Sequence, residues 1–88
     1  MKVVFRRSFL RDLRAVRENK LLDQVARVMR LAEEAGSIRD LTNVKPMEGH
    51  KGCYRVRVGA YRIGLYLDGA TLEFVRFLDR KDICRYFP

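Results

Sequence analysis

The sequence predicts an α+β domain: a twisted, antiparallel four-stranded sheet carrying a two-helix hairpin on one face. Two observations lead there. The stretch CYRVRVGAYRIGLYL, residues 53 to 67, alternates with period two on both sides of Gly59-Ala60. The segment from Ser8 to Ala35 instead repeats its apolar residues at steps of three and four. Side chains two apart share one face of a strand, and side chains three or four apart share one face of a helix. The chain therefore holds a hairpin with one apolar face, and two helices able to cover it.

The hairpin comes first because the rest is organised around it. Tyr54, Val56 and Val58 point one way, as do Tyr61, Ile63, Leu65 and Leu67 on the second arm. Cys53, Arg55 and Arg57 point the other way, together with Arg62, Gly64 and Tyr66. Gly59 at the first central position suits a type II′ turn. An arginine-bearing sheet face is costly unless something anionic meets it, so this face is the candidate site.

Lys2 to Arg6 is a short β-branched and aromatic run, expected as the first strand. Ser8 is an N-cap candidate for a helix running to about Arg17, with Phe9, Leu10, Leu13 and Val16 inward. Arg7, Arg11, Arg14 and Arg17 form its basic side, read here as a solvated face. Asn19 caps a second helix, in which Leu21, Val25, Val28, Ala32 and Ala35 form one buried stripe. Gly36 is placed for a left-handed C-terminal residue. The very short connection predicts an antiparallel helix hairpin. Ser37 to Gly52 reads as a loop pinned by Ile38, Leu41 and Met47, with Lys45, His50 and Lys51 exposed. Asp68-Gly69 marks a turn. Thr71 to Leu78 forms a last strand of muddled alternation, as in a strand covered on both faces. Asp79 then caps a final helical turn. The expected core is Tyr54, Val56, Ile63, Leu65, Leu13, Val25, Val28 and Ala32.

Composition narrows the function. Eighty-eight residues make one domain, residues 1 to 88, with one modest core. A net charge of +8 points to nucleic acid, anionic lipid or an acidic protein as partner. No apolar run approaches the roughly twenty residues of a membrane span, so no membrane role is expected. With one His and two separated Cys there is no metal-ligand spacing, and no metal or other cofactor is expected. Charges inside the N-terminal apolar stretch exclude a signal peptide, and the cysteines read as reduced thiols. A cytoplasmic protein is expected.

The concentrated feature is cationic and aromatic. Arginine grips phosphate with paired donors, and tyrosine stacks on an unpaired base. RNA carries its own nucleophile, the 2′-hydroxyl. A ribonuclease can be built from cations that neutralise the charge developing on the adjacent phosphate.

Four stretches carry a family resemblance: SFLRDL (8–13), the MEGHKGCYRVR passage (47–57), YRVRVGAYRIGLY (54–66) and LDRKDICRYFP (78–88). With the order of elements, they make the whole chain resemble the RelE/ParE superfamily of bacterial toxin–antitoxin toxins. The resemblance implies a toxin that cuts mRNA on the ribosome and represses translation, covered by an acidic antitoxin encoded beside it. A ParE-like inhibitor of DNA gyrase without catalysis is the alternative, and a basic RNA-binding module with weakened toxicity a third. The implied catalytic residues are Arg55 and Arg57 on one strand, Arg62 in the next strand's YR pair, and Arg80, with Lys81 as the other possible register. Lys51, Lys81 and Arg85 are implied RNA contacts. Many relatives read RKDIY, where this chain has Cys84. A cysteine cannot stack on a base, although its reference pKa allows proton transfer. Tyr86 is therefore the first candidate for the acid–base role, with Cys84 and His50 as alternatives.

Overall fold

The computed structural model describes all of residues 1–88. Five strands form one sheet: β1 (Lys2–Phe5), β2 (Val44–Pro46), β3 (Cys53–Val58), β4 (Tyr61–Asp68) and β5 (Thr71–Asp79). Their spatial order is β1-β5-β4-β3-β2. Helices α1 (Arg7–Arg14) and α2 (Asn19–Glu34) cover one face, and a short α3 (Ile83–Tyr86) lies at the C-terminus.

The sheet corrects the four-stranded antiparallel expectation in two ways. First, β1 runs parallel to β5, so the sheet is mixed. Second, the segment expected as a loop contributes β2, in which Val44 opposes Val56 and Lys45 opposes Arg55. Three residues ending in proline carry no periodicity to read, and proline is tolerated at a sheet edge. The helices also differ from a hairpin. α1 packs mainly on β5, and α2 on β1 and β3, so each is held by the sheet more than by the other.

Helix ends depart from their expected caps. Arg6 and Glu18 occupy the N-cap positions, and neither makes a side-chain cap bond. Gly36 is not left-handed; Ala35 ends α2 in an extended conformation. The N-terminal ammonium closes that end instead, donating to the carbonyls of Glu33 (3.0 Å) and Ala35 (2.6 Å). A cation at a helix C-terminus also complements the helix dipole.

The hairpin register holds. Arg57 opposes Arg62, Arg55 opposes Gly64, and Val56 opposes Ile63. Gly59 alone in the turn takes a positive φ, 59°, as a type II′ turn asks. Val56, Ile63, Leu65, Val25 and Ala32 are buried as expected, and Tyr54, Leu13 and Val28 pack at the margin. The largest fully buried side chains are Phe9, Phe74 and Phe77. Phe9 and Phe74 meet edge to face at 5.2 Å and fasten α1 to β5.

The muddled alternation of β5 is a β-bulge. Gly64 pairs with Arg76 while Leu65 pairs with Phe74, so Val75 is the extra residue. Leu72, Phe74 and Phe77 all reach the main core, and Arg76 and Leu78 share the opposite face. That face is not bare. Ile83 and Phe87 fold back over it with Cys53, forming a second small core bordered by Met47, Val75 and Leu78.

Gly64 makes this possible. A Cβ there would stand 2.7 Å from the Phe87 ring. Gly64→Ala is expected to destabilise the protein by about 1–3 kcal/mol through overpacking. Thermal unfolding checks it, and an unchanged melting temperature would show that the ring yields freely.

Candidate nucleic-acid site

The face away from α1 and α2 is built in rows across three strands. One row is Arg57–Arg62–Leu78, the next Arg55–Gly64–Arg76, the third Cys53–Tyr66–Glu73. The small core around Phe87 covers the middle, leaving the arginines of β3 and β4 along one side. There Arg55, Arg57 and Arg62 line a cavity of about 250 Å³ with Asn43 and Lys45, and no apolar residue faces it. β2 is what brings Lys45 in. Asn43 enters through a left-handed turn, φ 59°, a conformation asparagine tolerates. Its carbonyl accepts from the Arg57 amide (3.1 Å) and its side-chain oxygen from Arg57 Nη2 (3.4 Å). The sequence reading missed Asn43 and counted Lys45 only as an exposed loop cation.

None of these cations has a carboxylate partner. The two ion pairs of the molecule are Arg6–Glu73 and Arg76–Asp12. Burial, and then the charges of Arg55, Arg57 and Arg80, push the Arg62 guanidinium below its ordinary range. Arg62 donates to the Gly59 (3.1 Å) and Tyr61 (2.9 Å) carbonyls. Arg80 thus belongs to the cluster electrostatically, and its amide is anchored on the Ala60 carbonyl at 2.9 Å. Asp79 opposes the shift of Arg62 with its own charge, but no carboxylate lines the cavity, and cations gathered on such a surface form a site for an anion.

A second cavity, of about 390 Å³, adjoins through Arg55. Its lining includes His50, Glu48, Cys84 and Phe87. Arg55 Nη1 lies 3.8 Å from the Cys84 sulfur. The structure therefore brings His50 and Cys84 beside the arginines. Tyr86 is placed elsewhere: its ring lies under Arg76, 6.0 Å from the guanidinium carbon, and it lines neither cavity. Lys81 and Arg85 are exposed and line neither cavity; Lys51 lies toward Tyr66, on the third row. Of the two thiols, Cys84 is exposed and Cys53 buried, and burial raises the pKa of Cys53.

Comparison with known proteins places these features in context. A family model described as the ParE toxin of the type II toxin–antitoxin system, parDE, matches residues 3–84. Toxin RelE3 of Methanocaldococcus jannaschii is 37% identical over 89 residues, covering the whole of both chains. The RelB–RelE antitoxin–toxin complex from Methanococcus jannaschii contains a chain that matches with TM-score 0.83 and 32% identity, over 97% of this chain and 99% of that one. The RelBE2 toxin–antitoxin complex from Mycobacterium tuberculosis matches with TM-score 0.61 and 25% identity, over 90% and 96% of the two chains. No helix here is long and apolar enough to cross a membrane.

Proposed function

The chain belongs to the ParE toxin family, is a RelE-like toxin of a type II toxin–antitoxin system, and on that basis we propose that it represses translation as a metal-independent endoribonuclease cutting mRNA on the ribosome. One observation carries this reading: Arg55, Arg57 and Arg62 converge with Lys45 on one cavity that holds no carboxylate. The scissile phosphate sits among them. The 2′-oxygen attacks phosphorus, the new bond closes a 2′,3′-cyclic phosphate, and the bond to the 5′-oxygen breaks. One proton leaves the 2′-hydroxyl and one reaches the departing 5′-oxygen. Arg55, Arg57, Arg62 and Arg80 stabilise the charge that builds on the phosphoryl oxygens, where fixed donors act most strongly. His50 and Cys84 share a cavity with Arg55 and stand nearest to handle the protons. On this reading Tyr86 contributes through the cation–π contact that seats α3 on Arg76.

The test is expression in growing cells with sequencing of message ends. Rapid loss of translation with cut messages supports the reading. The family resemblance implies a second one, inhibition of DNA gyrase, and DNA damage with intact messages would replace the first with it.

The partner is proposed to be an acidic antitoxin segment, disordered when free and folding on binding. It would lie along the helices and the sheet edge, where Val4 and Leu31 are each 40% exposed, with carboxylates reaching Arg55, Arg57, Arg62 or Arg80. Relatives of this fold occur as toxin–antitoxin complexes, which supports a partner of this kind. Association with a peptide from the adjacent gene should slow markedly as salt rises, because exposed charges are screened within about 10 Å at 0.1 M. A rate independent of salt would place docking away from the basic face.

A further inference from the structure

The arginine cavity occupies one end of the outer sheet face, and the other end carries an aromatic ring. Tyr66 lies on the same side of β4 as Arg62, further along the strand, about 13 Å away at the rise of a β-strand. The exposed large apolar side chains are Val4, Leu31, Tyr66 and Tyr86. Tyr66 alone of them stands on the strands that carry Arg55, Arg57 and Arg62. Its ring is seated on the backbone of Gly52, where a Cβ would stand 3.1 Å from the ring carbon Cε1. Gly52 also has φ 85°, so glycine suits both the turn and the approach of the ring. The residue is nevertheless 36% exposed. With Lys51, Gly52, Tyr54, Leu67 and Gly69 it lines an open cavity of about 390 Å³. No carboxylate lines that cavity. Glu73, across from Tyr66 on β5, is held by Arg6, and Asp68 at the end of β4 is outside the lining.

The two ends are connected. The cavity of His50 and Cys84 shares Arg55 with the arginine cavity. A further cavity, of about 490 Å³, shares His50 with it and shares Lys51, Gly52 and Tyr54 with the cavity of Tyr66. Adjoining depressions thus run from the arginines along the 46–52 loop to Tyr66, beside the small core of Ile83 and Phe87.

We propose that Tyr66 and Lys51 form a subsite for an unpaired base of single-stranded RNA, belonging to a nucleotide that flanks the cleaved linkage. The subsite rests on the reading of the arginine cavity as the seat of the scissile phosphate. Three features choose that occupant. A seated, partly exposed ring is a stacking platform, and every base has a face to offer it. Lys51 beside the ring supplies a cation for the adjoining phosphate. The separation from Arg62 places the base along the strand from the cleaved linkage, not at it. Paired RNA does not suit the site, because its bases are stacked on one another. One ring and one lysine also fall short of the apolar centre of a protein interface. The subsite would select unstacked message and fix its register over the arginines.

The experiment measures the affinity of the purified full-length chain for a dinucleotide and for a longer unstructured RNA strand, both made uncleavable by 2′-O-methyl sugars. The longer strand reaches from the arginines to Tyr66, and the dinucleotide does not. Tyr66→Val keeps a residue suited to a strand. It should weaken binding of the longer strand about 5- to 100-fold, the effect of losing one stacked base, and leave the dinucleotide unchanged. Tyr66→Phe, which keeps the ring, should bind like the parent. A longer strand with abasic flanking nucleotides keeps its phosphates and should bind the parent and Tyr66→Val equally. Lys51→Gln should lower the log–log salt slope for the longer strand by about 0.7. Equal affinity of parent and Tyr66→Val for the base-bearing strand would overturn the proposal. So would an equal loss on the abasic strand. Should Tyr66→Val lose the dinucleotide as well, the parent decides: equal affinity for base-bearing and abasic strands overturns the subsite. Loss of binding only to an acidic antitoxin peptide would make the ring a protein anchor and overturn it too. Arg57→Gln/Arg62→Gln should weaken both lengths. Unchanged binding of both by that variant would overturn the arginine-cavity reading, whereas a loss there with no effect of Tyr66→Val overturns the subsite alone.

Discussion

Replacing Arg57 and Arg62 together by alanine is expected to abolish growth arrest and message cleavage without lowering the melting temperature. Each donor aimed at developing charge contributes about 100- to 1,000-fold in rate, so losing two should put cleavage below detection. Stability should hold for a separate reason. Arg57 is exposed, and Arg62 sits in a field that works against its charge through burial and through Arg55, Arg57 and Arg80. Removing two members of an unpaired cationic cluster relieves repulsion, in partial compensation for the lost packing of the Arg62 stem. Single-turnover cleavage on programmed ribosomes and thermal unfolding are read on the same samples. If activity disappears together with several degrees of melting temperature, the arginines are structural and the catalytic reading fails.

The second large effect is on stability and involves no site residue. Asp12→Ala is expected to cost about 2–3 kcal/mol, since its carboxylate has three donors and the pair is only partly solvated. Those donors are Arg76 Nε (2.8 Å), Arg76 Nη2 (3.2 Å) and the Phe77 amide (2.9 Å). The side chains of Arg76 and Asp12 keep only 22% and 10% of their exposure, so water cannot replace the bond fully. Arg76 is accordingly held above its ordinary pKa, first by the hydrogen bond to Asp12. For a domain this small the melting temperature should fall by about 10–20 °C. Asp12→Asn keeps an acceptor for the Phe77 amide and should lose less. A loss under about 0.5 kcal/mol for the alanine variant would show the pair to be an ordinary surface contact.

The same pair explains why β5 resisted reading. Pairing with β1 ends at Phe5 and Phe74, and α1 takes over along the edge that β1 leaves. The Ser8 hydroxyl donates to the Val75 carbonyl, and Asp12 accepts from the Phe77 amide. Ser8 and Asp12 are one helical turn apart, so a single helix face satisfies the backbone groups of β5 that lie beyond the end of β1. Ser8 looked like an N-cap because serine is favoured there. Its hydroxyl went to a strand sixty-seven residues away.

By itself the sequence determined which residues face which way in the hairpin, the buried stripe of α2, and the gathering of Arg55, Arg57 and Arg62 on one surface. All three follow from periodicity, which a chain carries locally because side-chain direction is set by the residue's own strand or helix. Only the tertiary structure decided who stands beside whom. It paired β1 with β5, added β2 with Lys45 to the cavity, and laid Phe87 on Gly64. It also sent Cys84 to Arg55 and Tyr86 to Arg76, although the two are separated by a single residue in α3. Neighbours in a helix point in different directions, and which one meets the site depends on how the helix is seated. That seat is made by Ile83 and Phe87 against Cys53, contacts spanning some thirty residues. Periodicity carries no record of such pairings, because they are chosen by the fit of surfaces that only the folded chain brings together.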